Sequence, residues 1–535
     1  MSLASACWWT LARTVLLCVM AWPVCTAVER WLRGLSDSQR GWALGCLLAP
    51  FCFPELLVGY AFRDLALFHP RWAESLCSGL LFVRVVPVGA VALVMAPVGE
   101  LDAAAMHCRW LLVRARRDSV REWLELARCY WHGPVTRALP ALGLMSIVAF
   151  QEFELAALLM TTSWTDWFVA AERVGLNRSE MLRQTSWPLL MQLPVLLASV
   201  WWLGRAAVRR RGETSSGTEV VSTDCSKRAM CWFAAGYVAI ALIIGCLVPL
   251  SLIGWRMVDG LSLLLRQRVQ QVGLLREMAI STAVALCAGL TAWAICRGSG
   301  LTSPTRARGI GVEWSRSPRS RVGLVRGAIL LPGLLGSLML SLGVVTLFQV
   351  SWLRPLYDTP LPWVLALTLW LLPRAAVLQL WLDATRPSEA VHLAEMLQGR
   401  RDEGRGTRDI NLNQKTPHPN PLPASVSSFQ DRAGRGDKAG DLNPSSFIPH
   451  PSALLWRLRD QPQFLAVGLL CYWAYCDLPT AYLLAPTGMA SGLVRLYNFM
   501  HFGRSAALSA EAGLFFVSPL VCTGFVLMLV RWWRG

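Results

Sequence analysis

The 535-residue chain contains only three lysines, Lys227, Lys415 and Lys438, and none stands in a Gly-rich G-x-x-x-x-G-K-[ST] loop. Without a P-loop the chain is not expected to hydrolyse ATP in the usual way, so it is read as a non-enzyme. No G-x-S-x-G elbow or H-E-x-x-H pair occurs, which removes the commonest hydrolase signatures. Among the seven histidines no two are spaced at i, i+3 or i+4, and the 16 cysteines form no C-x-x-C pair. Neither a metal site nor a disulfide framework is implied, and no cofactor is expected. Charged residues are also scarce, at 16%, against 54% hydrophobic residues and 26 tryptophans. A soluble globular chain does not have that balance.

Apolar runs close to the length of a spanning helix recur along most of the sequence. They fall near residues 6–27, 41–62, 77–98, 138–160, 184–205, 229–254, 275–296, 327–350, 360–383, 463–486 and 508–531. The expectation is an all-α polytopic membrane protein with about 11 transmembrane helices, arranged as five and then six. The formal charge of +17 comes from arginines in short loops. Seven of them lie between Arg109 and Arg137 and seven between Arg297 and Arg326. Such loops mark the cytoplasmic side, so the excess of positive charge reports orientation in a lipid bilayer rather than nucleic-acid binding. The amino terminus is then outside and the carboxyl terminus inside.

The chain carries an internal repeat. Ala141–Leu159, ALGLMSIVAFQEFELAALL, aligns without a gap on Ala466–Leu484, AVGLLCYWAYCDLPTAYLL. Glu152 falls on Asp477, 325 residues later, and the two are candidate pathway acids related by the repeat. Ionisable residues within apolar runs are costly, and Glu55, Arg84, Glu152, Glu154, Arg374 and Asp477 all fall within or at the ends of such runs. Two positions are open for the acids: a shared central path, or the outer membrane surface, where Pro479 and Pro486 would end the helix. Arg84 and Arg374, beside Pro87 and Pro373, either pair with these acids or extend to an interface.

Residues 1–208 form the first half and 227–535 the second, joined by a polar cytoplasmic linker at 209–226. The repeat has six spans in one half and five in the other, the run at 229–254 being unmatched; either the first copy lacks a leading helix or the start lies upstream of Met1. Before each repeated run stands an acid followed by alanine, Asp102, Ala103, Ala104 and Glu389, Ala390. These acids are 287 residues apart, so the 38-residue difference in offset measures an insertion. It falls at about 400–452, is rich in Pro, Asn, Asp, Gly and Ser, and is expected to be disordered and cytoplasmic.

An acid-Ala-Ala loop before the penultimate span of each half, followed after Asp477 by LLAPTGMASGLVRLYNFMHFG, resembles the fused permeases of binding-protein-dependent ABC importers, closest to the iron(III) type. The resemblance is best from about residue 327 onward. It implies a bacterial inner-membrane protein that moves iron(III) or a similar small solute by alternating access. The implied partners are a cytoplasmic ABC ATPase, docked at Asp102, Ala103, Ala104, Glu389 and Ala390, and a periplasmic solute-binding protein. The motif's glycine is Cys108 in the first copy and Glu395 in the second, and Val391 replaces the second alanine. Three other readings stand beside it: a proton-coupled secondary transporter using Glu152 and Asp477, an uncoupled or decayed permease, and a polytopic glycosyltransferase. The last should carry acidic pairs in a large outer loop, which this sequence lacks.

Overall fold

The computed structural model describes residues 2–95, 136–175, 178–209, 225–266, 268–298, 330–385, 456–489, 491–502 and 506–534, with single positions at 111 and 124. Every regular element among them is helical. The docking-loop residues Asp102, Ala103, Ala104, Glu389 and Ala390, most of the linker and the insertion lie outside the described residues.

Four helices open the chain: α1 (Leu3–Gly34), α2 (Asp37–Cys52), α3 (Glu55–Phe68) and α4 (Pro70–Met95). Then come α5 (Thr136–Phe150), the short α6 (Glu154–Leu158), α7 (Trp164–Arg173) and α8 (Arg178–Arg209). A continuous helical stretch follows, α9 (Cys225–Leu242) joined to α10 (Val248–Arg266) through a π-helical turn at Ile243–Leu247. The remainder is α11 (Arg268–Gly298), α12 (Ser337–Phe348), α13 (Leu361–Thr385), α14 (Gln461–Tyr475), α15 (Leu478–Leu484), α16 (Gly492–Phe502) and α17 (Ala506–Arg534).

Seven helices among the described residues are long and apolar enough to cross a membrane, or up to nine if each of two bent pairs is one span. The chain is therefore an all-α, multi-pass membrane protein. With no water in hydrocarbon, helices are the solution that satisfies every backbone group within one segment. Each of the eleven apolar runs in the sequence meets a helix, but α8 at the run 184–205 and α12 at the run 327–350 are not among those long and apolar enough to cross, and two further runs are bent. The run at 41–62 is bent by 66° between α2 and α3, and the run at 463–486 by 54° between α14 and α15. Pro54 explains the first bend: it has no N–H to continue the ladder and disfavours α conformation at Phe53.

Two compact units are present, Met1–Trp381 with Ala466–Gly524, and Leu382–Leu465 with Phe525–Gly535. The second contains, among the described residues, the ends of α13 and α17, the π-helical turn Trp456–Asp460 and the start of α14. The site described below lies in the first unit. The core of that unit is centred on α1, α4 and α5, with Cys25, Leu81, Val85 and Met145 fully buried. Gly89 allows this packing, since a Cβ there would collide with the sulfurs of Met145 and Cys25. Exposed Leu, Val, Phe, Met and Trp side chains cover the outer faces of α10 and α17, as lipid contact requires.

Candidate functional site

The repeat seen in the sequence recurs in the backbone. At the same 325-residue offset, α5 and α14 begin and end together, and α8 and α17 end together at Arg209 and Arg534. Both copies run as a 15-residue helix, a break, a short helix, a connecting helix and a long final helix. In the first copy the expected span is met by one crossing stretch, Ala138–Leu158, interrupted at 151–153, whereas in the second the run is bent by 54° and is not one straight span. The helix stops after Phe150 in one and after Tyr475 in the other, and Glu152 and Asp477 sit in the breaks.

The chemistry of the two breaks is shared. Asp477 is the N-cap of α15 and its Oδ2 accepts from the Thr480 N–H at 3.0 Å. Glu152 Oε1 accepts from the Leu155 N–H at 2.7 Å, and Leu155 is the repeat counterpart of Thr480. A carboxylate at a helix start satisfies an orphan N–H and complements the partial positive charge there. Glu152 stands one residue outside the cap position of α6, and its extra methylene covers that distance. The first break is braced further by Trp164 Nε1 donating to Phe150 O and by the Thr165 hydroxyl donating to Glu152 O, both at 2.7 Å.

Each broken helix is met by a helix from the preceding part of its own half. α3 packs on α6, and α12 packs on α15. The carboxyl of Glu55, at the start of α3, lies against that of Glu152, with Arg84 in electrostatic reach. At the corresponding place Ser337, the first residue of α12, donates its hydroxyl to Asp477, with Arg374 in reach. The two constellations are thus Glu55, Arg84, Glu152 and Ser337, Arg374, Asp477: the guanidinium is kept, the capping carboxylate is kept on a shorter side chain, and a carboxylate is exchanged for a hydroxyl.

Glu154 joins the two. Its carboxylate accepts from the Leu478 N–H at the start of α15 and faces Asp477, Glu55 and Arg84. Gln151 makes a second bridge, donating through Nε2 to Leu334 O and to Gln192 Oε1, both at 2.7 Å. Arg84 closes the α2–α3 bend, pairing with Glu55 and donating to Phe53 O at 2.9 Å and Phe51 O at 3.1 Å. Arg374 lies over the Trp370 ring, 3.7 Å from its centroid, and faces Asp477 and Glu55.

Four carboxyls and two guanidiniums are gathered around converging helix breaks. Glu152, Glu154 and Asp477 are 4%, 6% and 6% exposed, so they are enclosed by protein rather than solvated at an outer surface. Of the sequence-predicted ionisable residues, all six are brought together. Among the described residues no group of three or more His, Cys, Asp or Glu converges as metal ligands would. Sequence reasoning passed over the Arg13–Glu74 pair, at 3.0 Å, and the Arg495 contacts with Glu277 and Glu511, at 3.1 and 3.0 Å. Isolated charges in apolar runs were the signal for these too. A comparison with protein-family models, with curated proteins and with solved structures finds no match for the chain.

Proposed function

We propose that the chain is a transport protein whose two pseudo-symmetric halves enclose a solute path at the broken-helix crossing, and that it serves as the permease of an ABC importer. The observation that carries the reading is the pair of repeat-equivalent helix breaks, each capped by an acid and both meeting in one buried charge cluster. Interrupted helices of this kind are tolerated at membrane depth where they are enclosed by protein or line an aqueous cavity, and transporters place their sites at such interruptions between repeats. In this reading the halves rock about the cluster to expose it alternately to the two sides. The energy comes from a separate ATPase docked at Asp102–Ala104 and Glu389–Ala390. Iron(III) or a similar small solute as cargo rests on the sequence resemblance alone.

The experiment is capture of the candidate ATPase by the detergent-solubilised chain, with Asp102→Arg plus Glu389→Arg as the comparison. Capture by the intact chain and its loss in the double variant support the importer. Absence of capture by the intact chain would sink it.

A second reading is favoured by the surplus of carboxyls over guanidiniums in the cluster, which suits a proton-coupled secondary transporter. Solute uptake into proteoliposomes separates the two. Proton coupling requires uptake driven by a pH gradient without ATPase, retained in the docking-loop variant and abolished by Glu152→Gln with Asp477→Asn.

A further inference from the structure

Arg13, on α1, is 6% exposed and is not one of the six charged residues described above, although Cys77 beside it is also in electrostatic reach of Glu152. Its Nη1 donates to Glu74 Oε1 at 3.0 Å and to Cys77 Sγ at 3.9 Å, and Trp9 Nε1 donates to the same Glu74 oxygen at 3.2 Å. These contacts fix one corner of the guanidinium. The other two nitrogens, Nε and Nη2, are buried and have no hydrogen-bond partner among the described residues. The neighbouring hydroxyl of Thr14, a residue 2% exposed, is also without one among those residues.

Nε and Nη2 are not an arbitrary pair. They form one side of the planar fork, whose parallel N–H bonds match the two oxygens of a carboxylate, sulfate or phosphate. Buried donors are otherwise almost always satisfied, so a whole free edge on an oriented, enclosed guanidinium points to a missing acceptor. Arg84 provides the contrast: its Nε is likewise without a partner among the described residues, but both its terminal nitrogens are taken up by Glu55 and by carbonyls of the α2–α3 bend, so no whole edge is free. Glu74 balances Arg13 incompletely, because its side chain is 33% exposed and its oxygen is shared with Trp9. A second negative group is therefore electrostatically favoured at the free edge.

We propose that the Nε/Nη2 edge of Arg13 binds a small oxyanion inside the helix bundle, supplied either as a free anion or as the phosphate of a lipid headgroup. This site is independent of the transport reading, and its test does not require transport. The full-length chain is delipidated in a neutral detergent, and its unfolding temperature is titrated with sodium sulfate against sodium chloride at equal ionic strength. A parallel titration adds phosphatidylglycerol against phosphatidylcholine. Saturable stabilisation by sulfate identifies a free anion, stabilisation by phosphatidylglycerol alone identifies the headgroup, and either supports the site.

Arg13→Lys keeps a cation facing Glu74 but loses the fork, and should weaken the response at least about tenfold. Glu74→Gln keeps an acceptor for Nη1 and removes the competing charge, so it should leave the response intact or tighten it. Should the Arg13 variants fail to fold, Glu74→Gln decides. Absence of any oxyanion-specific stabilisation of the natural chain, an undiminished response in Arg13→Lys, or a response lost in Glu74→Gln would overturn the proposal.

Discussion

Glu152 and Asp477 perform the same local task with side chains of different length, and the difference is set by where each short helix begins. α15 starts at Leu478, directly after Asp477, whereas α6 starts two residues after Glu152. Asp477→Ala removes the acceptor for the Thr480 N–H and should lower stability by about 0.5–2 kcal/mol, measurable as a lower unfolding temperature. Asp477→Asn retains an acceptor and should fall well short of that loss. Glu152→Asp, conservative by charge, should behave like the alanine variant, because the shorter side chain cannot reach the Leu155 N–H. Arg84 is the more critical residue. Arg84→Met strands the Glu55 carboxylate and frees the carbonyls of Phe51 and Phe53, a loss of about 3–5 kcal/mol by the usual cost of breaking a buried pair. Glu55→Gln should restore part of it. The six charged residues were legible in the sequence because charge within apolar runs is costly. Their role as caps and bend-closers was not, since it depends on breaks that hydropathy does not register.

At the scale of elements, the breaks divide by how they are encoded. The α2–α3 bend and the α14–α15 bend have Pro54 and Pro479 beside them, and the sequence offers a reason for the chain to turn. The break after Phe150 has neither proline nor glycine in Gln151-Glu152-Phe153, so it reads as uninterrupted helix. It is held open by tertiary partners instead: Trp164 on Phe150 O, Thr165 on Glu152 O, and Gln151 reaching Leu334 O. Gly336 marks the receiving side of that last contact. Its φ is +87°, in the left-handed region, and a Cβ there would meet the Gln151 side chain at 2.7 Å. Gly336→Ala therefore combines backbone strain with a steric clash and should cost about 1–3 kcal/mol. If unfolding of that variant matched the natural protein, the bridge between Gln151 and the Leu334–Gly336 turn would not be a tight one.

For the molecule as a whole, periodicity and internal similarity gave the helical class and the paired halves, while the packing of one half on the other had no sequence signal. That packing is polar as well as apolar. Arg63 on α3 donates to Met500 O on α16, Tyr60 Oη lies 3.4 Å from Ser509 Oγ on α17, and Glu154 accepts from Leu478 N–H. Apolar groups also cross closely: a Cβ on Gly245, in the π-helical turn before α10, would meet Pro50 Cβ at 2.8 Å. Polar groups enclosed within a membrane protein lose their partners if the halves separate, and no water in hydrocarbon replaces them. Two separately expressed pieces, 1–215 and 216–535, should therefore reassemble and co-purify through a tag on either one. Arg63→Met with Gln151→Leu removes two of the crossing bonds and should reduce the recovered partner severalfold, each bond contributing about 0.5–3 kcal/mol depending on charge. Recovery unchanged by that pair of substitutions would assign the cohesion of the halves to apolar packing alone, with the polar crossings serving the path between them.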